Sequence, residues 1–324
     1  MLQKFDVRAR RFDSLTTASS LGVLLMLVHG ASLAADDTTA QDPRLATVTV
    51  TGAQASEAQK AERQLAKVPG KTAVIDNHDI EKGRASNAED VLALQPGVFA
   101  QATSGSAANK ISIRGSGLNT FYQGYVLGIK FLFDGLPLTG PGGTQEDMLD
   151  MAGVDHTEVL YGANAFNYSA LSLGGAINFV SKTGRTDPGN YARFEAGSYG
   201  YRKQVLSTGG VECNADYYVS LQHNERDGYQ DNTPNKGQGI VANFGYVFNP
   251  KLETRFFLRY REETLSQGNT LTKYQIKHDP TSNAVPFGRK KDGTTLLGSK
   301  TTYTFDDNAK LEVGLGYNDY PLYN

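Results

Sequence analysis

Tryptophan is absent from the sequence, cysteine occurs once and histidine occurs five times in 324 residues. The single cysteine, Cys213, excludes an intramolecular disulfide and a cysteine-rich metal site. The histidines have no ligand-like spacing. His78 and His156 each have acidic neighbours, and we interpret both clusters as solvated polar turns. We therefore expect no metal site, no cofactor and no enzymatic activity.

An excess of one charge sign is also missing, and the apolar run near the N-terminus is short. The 32 basic residues balance 34 acidic ones, and no charged tail indicates a nucleic-acid partner. The apolar run, residues 21–28, is far shorter than the roughly 20 residues of a transmembrane helix. Basic residues precede it and the small residues 32–34 follow it, which is the pattern of a secretory signal peptide. We predict cleavage near Ala35 and a function outside the cytoplasm.

A short β-branched segment follows in a polar tail. It consists of Thr47, Val48, Thr49, Val50 and Thr51. Valine and threonine favour an extended backbone, and an extended segment with nothing beside it allows a partner to add a strand. The alternative is a buried first strand of the next domain. Residues 53–67 are rich in Ala, Gln, Glu and Lys, and they predict a tether or a weak helix.

Residues 68–185 have the pattern of a mixed α/β domain. A helix is predicted to begin at Ser86–Asn87, to use Val91, Leu92 and Leu94 as its apolar face, and to stop at Pro96–Gly97. Strands are predicted at residues 71–75, 111–115, 131–133, 159–160 and 176–180. Asp134–Gly135 is predicted to be a turn after a strand.

From residue 191 onward the pattern changes to a period of two. Of 17 tyrosines, 13 lie at or beyond Tyr191. Apolar and polar residues alternate, as in Leu311, Val313, Leu315 and Tyr317. A membrane barrel and a soluble sandwich both show such alternation, but short and long connections that alternate along the chain favour a barrel. We predict seven strands, near 191–197, 201–208, 215–223, 239–248, 252–262, 299–305 and 310–318.

Several motifs in order resemble the TonB-dependent outer-membrane receptors. The segment from Glu158 through Gly162 to Val180 resembles the end of their plug domain, and residues 94–98, 113–115 and 133–138 resemble its earlier landmarks. Thr47–Thr51 lies where the family carries its TonB box. The sequences of residues 158–180 and 259–262 are most similar to those of the ferric-dicitrate-like group.

The resemblance implies an α+β plug domain followed by an antiparallel transmembrane β-barrel. It implies uptake of a ferric siderophore or a similar iron chelate across the outer membrane, with TonB as the partner and outer-membrane lipid around the barrel. It also implies transport without a signalling domain. The resulting division of the chain is a signal peptide at 1–34, the TonB-box segment and tether at 35–67, the plug at 68–185 and barrel strands at 186–324.

The family binds its ligands through plug loops and barrel side chains. By resemblance, the loops of this chain are 101–108, 118–123 and 139–145. Polar and aromatic side chains suit a chelate rich in oxygen, and the barrel arginines face the lumen by parity and attract anions. The alternative role of these arginines is pairing with lumen carboxylates. The predicted ligand-binding residues are Gln101, Tyr122, Gln123, Gln145, Arg255 and Arg259.

The sequence departs from the family pattern in two respects. Tyr161 and Asn167 stand where the family usually has arginines that pair with barrel glutamates, so we expect a weaker lock between plug and barrel. The family has about 22 strands around a plugged lumen, whereas this chain has seven predicted ones, so we expect an incomplete barrel and a truncated form of a receptor. The alternatives are a non-transporting remnant that binds TonB and a structural or passive outer-membrane barrel protein.

Overall fold

The computed structural model describes most of the chain beyond residue 54. The described residues are 55–83, 87–104, 108–116, 125–139, 143–145, 149–162, 165, 172–268, 270–283, 287–306, 309–320 and 322–323. The predicted signal peptide and Thr47–Thr51 lie outside them, as do Tyr122, Gln123 and Asn167. No helix in these ranges is long and apolar enough to cross a membrane.

The first part of the described chain contains three helices and nine strands. The helices are α1 (Glu57–Leu65), α2 (Asn77–Glu81) and α3 (Ala88–Leu92). The strands are β1 (Thr72–Asp76), β2 (Val98–Ser104), β3 (Ala108–Ile113), β4 (Tyr125–Val126), β5 (Ile129–Phe133), β6 (Leu136–Pro137), β7 (Thr144–Gln145), β8 (Val154–Tyr161) and β9 (Gly175–Ser181).

The central sheet of this region has the order β1-β8-β9-β5-β6. β5 and β9 run parallel, and the other pairs are antiparallel. The strands β8 and β9 are buried almost throughout, because α-helices and loops cover the sheet. The core includes the fully buried side chains of Phe131, Ile177 and Phe179. The helix α1, which begins with a capping box at Ser56, packs Leu65 against Leu132 and Leu160.

Two predictions in this region are wrong, and a third holds only in part: His78 is solvated, but it lies in the helix α2 and not in a turn. α3 begins after Asn87 as predicted, but it ends at Leu92, so Leu94 lies outside the helix and is 85% exposed. His156 is not in a solvated turn. It lies within β8 and is 4% exposed.

Seven long antiparallel strands follow, each hydrogen-bonded to the next. They are β10 (Gly189–Ala196), β11 (Arg202–Glu212), β12 (Ala215–Arg226), β13 (Asn235–Asn249), β14 (Leu252–Gln267), β15 (Phe287–Asp306) and β16 (Ala309–Asp319). The helix α4 (Lys273–His278) lies between β14 and β15, and the two-residue strand β17 (Leu322–Tyr323) pairs with β15. The fold class, a plug-like domain followed by part of an antiparallel barrel, is confirmed.

The two faces of this seven-stranded sheet differ as the alternation predicts. One face presents exposed apolar side chains, among them Phe194, Leu206, Tyr217, Leu221, Phe244, Phe256, Leu297, Leu311, Val313, Leu315 and Tyr317. The other face, here called the inner wall, packs against the first domain. β15 was predicted to begin at residue 299 but begins at Phe287, because its Gly- and Lys-rich start is held by pairing with β14, which has one irregularity between Ser266 and Gln267.

Candidate functional site: the contact between plug and inner wall

Two arginines of β14 lie where the inner wall meets the plug: Arg259 contacts the plug, and Arg255 holds the wall carboxylate to which the end of the plug is attached. Arg255 and Arg259 lie on the inner wall, as their parity predicts, and they are 9% and 7% exposed. A buried charge is tolerated only when it is paired and hydrogen-bonded. The partners of the two arginines therefore show which groups each arginine holds in place.

Arg255 forms a two-point ion pair with Asp216 across an intervening strand. Its two terminal nitrogens donate to the two carboxylate oxygens of Asp216 at 2.7 and 2.9 Å. Asp216 on β12, Gly245 on β13 and Arg255 on β14 are neighbours in register. A Cβ atom at Gly245 would overlap the guanidinium, so the glycine leaves the space that the pair occupies. We call this arrangement the polar pin.

The chain that leaves the plug is attached to the same carboxylate. Arg185 donates from Nε to Asp216 at 2.9 Å. The backbone carbonyl of Lys182 accepts a hydrogen bond from Asn243 of β13. Lys182 itself forms ion pairs with Asp187 at 2.6 Å and Glu81 at 3.1 Å. Burial alone would lower the pKa of Lys182, but Glu81 and Asp187 outweigh burial and raise it. The end of the plug is therefore fixed to the wall by charges that satisfy one another.

Arg259 holds the plug rather than the wall. It donates to the carbonyl of Ala152 at 2.9 Å and to the hydroxyl of Ser181 at 2.8 Å. Its guanidinium lies 4.1 Å from the centre of the Phe133 ring, a distance typical of a cation–π contact. The positive charge predicted for a ligand is thus engaged with the plug in this structure.

A second ionic cluster lies inside the plug around His156. Its Nδ1 atom is 2.8 Å from Asp155, and its Nε2 atom is 3.8 Å from Glu158. Burial alone would lower the pKa of His156, but these two carboxylates raise it to about 9. The cluster is held together by these ionic contacts within the plug. In the described ranges, no group of three or more His, Cys, Asp or Glu side chains is placed to hold a metal ion.

Tyr161, which stands where the family usually has arginine, is almost fully buried. Lys71 and Arg114 lie over its ring at 4.7 and 5.4 Å. Its hydroxyl has no hydrogen-bond partner among the described residues. Lys71 and Arg114 thus place positive charge next to a position where the family usually has an arginine and this chain has an uncharged tyrosine.

The predicted ligand-binding residues are placed on separate elements. Gln101 is an exposed residue of β2, and the backbone of Gln145 pairs with Tyr125 between β7 and β4. Tyr122, Gln123 and the segment Thr47–Thr51 are outside the described residues. Their roles stay predictions.

The partners of the arginines were not predictable from the sequence. Asp216 stood on the polar face of a predicted strand, but nothing in the sequence distinguished it from the polar residues beside it. Leu136 was noted only as part of a motif, although it reaches the wall at Gly298 and Gly314. The sequence feature that could have indicated these contacts is the occurrence of glycines at inward-facing positions of β13, β15 and β16.

Comparison with known proteins supports this architecture. The profile described as TonB-dependent Receptor Plug Domain matches residues 64–176. The chain is similar to the vitamin B12 transporter BtuB of Vibrio vulnificus, with 24% identity over 63% of this chain and 34% of that protein. It is also similar to the iron-regulated outer membrane virulence protein of Vibrio cholerae, with 30% identity over 50% of this chain and 24% of that protein. The chain thus spans about a third or less of the length of these curated relatives.

The fold is similar to that of solved receptors. The unliganded crystal structure of the ferric citrate transporter FecA superposes with a TM-score of 0.67 at 20% identity, over 81% of this chain and 41% of that one. Residues 64–176 thus match the plug domain of TonB-dependent receptors, and the chain shares its fold with part of a solved ferric citrate transporter.

Proposed function

We propose that the chain is part of a receptor that takes up a ferric siderophore or a similar iron chelate across the outer membrane with energy from TonB. The observation that carries this proposal is a folded plug domain fixed to the inner wall of strands whose other face is apolar and exposed. An apolar outer face suits lipid, and a plug on the inner wall suits a gated passage. A relative named as iron-regulated supports iron as the cargo.

In this proposal residues 1–34 direct export to the outer membrane, and residues 68–185 are the gate. Thr47, Val48, Thr49, Val50 and Thr51 are the segment that TonB pairs with by strand addition. Residues 35–67 transmit the pull to the plug. α1, within that stretch, packs on the plug sheet, so a pull would reach the sheet directly.

The ligand is proposed to contact Gln101, Tyr122, Gln123 and Gln145. Arg255 and Arg259 donate to the protein itself, and their contribution to an anionic chelate is the positive potential of the wall. No step of this function requires a bond to be made or broken in the cargo.

Vitamin B12 is a second candidate cargo, favoured by the similarity to BtuB. A passive barrel is disfavoured, because a passive pore has no use for a plug pinned to its wall. Uptake assays with labelled ferric citrate, a ferric catecholate and cyanocobalamin separate these possibilities.

The test of the TonB segment is proline substitution. Val48→Pro removes one backbone donor and fixes φ, so strand addition should fail. Val48→Ala is the matched control, because it keeps the backbone N–H. Cells that produce the Val48→Pro receptor should bind the chelate but lose uptake, whereas the Val48→Ala receptor should do both. Uptake that survives proline at Val48, Thr49 and Val50 in turn would refute the assignment.

A further inference from the structure

A tight hairpin projects from the plug toward β15 and β16. β5 and β6 pair through Phe133 and Leu136, and the tip between them has positive φ at Asp134 and Gly135. The Asp134 carboxylate accepts hydrogen bonds from the backbone and the hydroxyl of Ser181, both at 2.7 Å. The tip is therefore rigid, and it holds Leu136 in one position.

Two glycines of the inner wall receive Leu136. A Cβ atom built at Gly298 would overlap the Cδ1 methyl of Leu136, and one built at Gly314 would lie 2.5 Å from its Cδ2 methyl. Real Cβ atoms do not approach so closely. Gly316 lies on the same face of β16, and a Cβ atom there would meet nothing within 4 Å. Neither Gly298 nor Gly314 has a positive φ, so these two positions require glycine for space and not for backbone conformation.

The surroundings of Leu136 are mostly apolar. Leu296 of β15 and Tyr320 beyond β16 pack against the plug core. Lys300 of β15 donates to the backbone carbonyl of Asp134 at 3.0 Å and closes one edge of the contact. Separation of the hairpin from the wall would expose apolar surface and leave an empty slot between two glycines, which costs free energy.

The plug contacts β10, β11 and β12 in a different way. A polar cavity of about 40 Å³ lies there, lined by Glu81, Lys182, Arg193 and Lys203 among others. The side-chain oxygen of Asn77, which also lines it, has no hydrogen-bond partner among the described residues. Such a cavity has room for about three waters. Water can replace each polar contact on this side as it opens, so opening costs less here.

We propose that Gly298 and Gly314 form a slot in the wall that seats Leu136, and that this seat keeps the β5–β6 hairpin attached while the polar side of the plug opens. The role during opening rests on the proposed function, since only a gate has to open. The seat itself is independent of the cargo and of TonB.

Amide hydrogen exchange on the complete chain in detergent tests the seat without any transport assay. The amides of Asp134, Gly135 and Leu138 report on the hairpin, because they donate to Phe179, Asn178 and Phe131. The amides of Ala152 and Val154 report on the loop that faces the polar cavity. In the unchanged protein the hairpin amides should exchange at least about tenfold more slowly than the loop amides. Equal rates would overturn the order of opening.

Three single variants test the slot. Gly298→Ala and Gly314→Ala should each speed exchange of the hairpin amides by about tenfold, because the new methyl displaces Leu136. Gly316→Ala is the matched control and should leave the rates unchanged. An equal effect at Gly316, or no effect at Gly298 and Gly314, would overturn the proposal.

A double variant distinguishes loss of the direct contact from a global folding defect. Leu136→Ala removes the methyl groups with which the Gly314→Ala methyl collides. The cost of Gly314→Ala should therefore vanish in the Leu136→Ala background, a coupling that a general loss of folding would not produce. Additive effects of the two substitutions would contradict a direct seat.

Discussion

The plug meets the wall in two chemically different ways. At the polar pin, the buried carboxylate of Asp216 is paired with Arg255 inside the wall and with Arg185 at the end of the plug. At the slot, Leu136 fits because Gly298 and Gly314 carry no side chain. Removal of one charged partner destabilises the pin, whereas addition of a methyl group at a glycine destabilises the slot. A plug that must stay seated and still move needs contacts of both kinds.

The largest effect is expected when the polar pin loses its acid. Asp216→Asn leaves Arg255 and Arg185 without their shared carboxylate, and breaking a buried pair costs about 3–5 kcal/mol. We expect the free energy of unfolding of the chain in detergent to fall by that amount. Denaturant titration followed by tyrosine fluorescence measures it, since no tryptophan is present to dominate the emission.

Glu253 provides the control for this prediction. It also pairs with Arg255, at 3.1 Å, but its side chain is 43% exposed. Glu253→Gln should therefore cost less than about 1 kcal/mol. A cost for Glu253→Gln as large as that for Asp216→Asn would show that burial does not set the strength of the pin.

The second-largest effect is a loss of stability at high pH, which distinguishes ionic contacts from packing contacts. The pKa of His156 is raised to about 9 in the folded plug, from 6.5. A raised pKa contributes stability that is complete below the unfolded value and is lost as pH rises through about 9. The loss should approach about 3 kcal/mol at about 1.4 kcal/mol per pKa unit. Leu136, Gly298 and Gly314 carry no titratable side chain, so exchange rates at the slot, once corrected for intrinsic pH effects, should depend less on pH.

Urea midpoints from about pH 6 to about pH 10 measure this loss. His156→Asn removes the titrating group and should flatten the profile between these limits. An unchanged slope in His156→Asn would assign the pH dependence to other groups.

A smaller effect is expected at the glycine beneath the pin. Gly245→Ala places a methyl group where the guanidinium of Arg255 lies, so the pair must shift. Overpacking of this kind costs about 1–3 kcal/mol. If the loss arises from Arg255, Gly245→Ala should cost little in a background that already carries Asp216→Asn. Unfolding titrations of the three variants decide this.

The smallest effect is expected at Tyr161, which belongs to neither contact. Its buried hydroxyl has no partner among the described residues, and Lys71 and Arg114 contact its ring. Tyr161→Phe keeps the ring, so unfolding free energies should change by less than about 1 kcal/mol. Tyr161→Leu should cost more because the cation–π contacts are lost. A large loss in Tyr161→Phe would reveal a partner of the hydroxyl.

Much of the fold was predictable from the sequence, since period-two alternation depends only on which face of a strand is apolar. The inner parity of Arg255 and Arg259 followed from it. The extent of β15 was not predictable, because residues 287–298 have weak strand propensity and are held by pairing with β14. The burial of His156 was not predicted either, because the acidic residues beside it suggested a solvated turn. Within the strand, these carboxylates instead compensate the charge of the buried imidazole.

The contacts of the site depend on which strands become neighbours, and the sequence does not state this. The Asp216–Arg255 pair joins residues 39 positions apart, and it requires a third residue, Gly245, to be small. Leu136 meets Gly298 and Gly314 only after the plug is placed on the wall. Local patterns predict elements, whereas these contacts are set by register and docking.

The alignment of Asp216, Gly245 and Arg255 has a consequence for assembly. A slip of one residue between β12 and β13 would turn Asp216 toward the outer face and leave Arg255 on the inner face without its acid. A charge on the lipid face costs up to about 2–4 kcal/mol near the bilayer midplane. The position of Asp216, Gly245 and Arg255 therefore makes a strand that pairs out of register less stable than one in register.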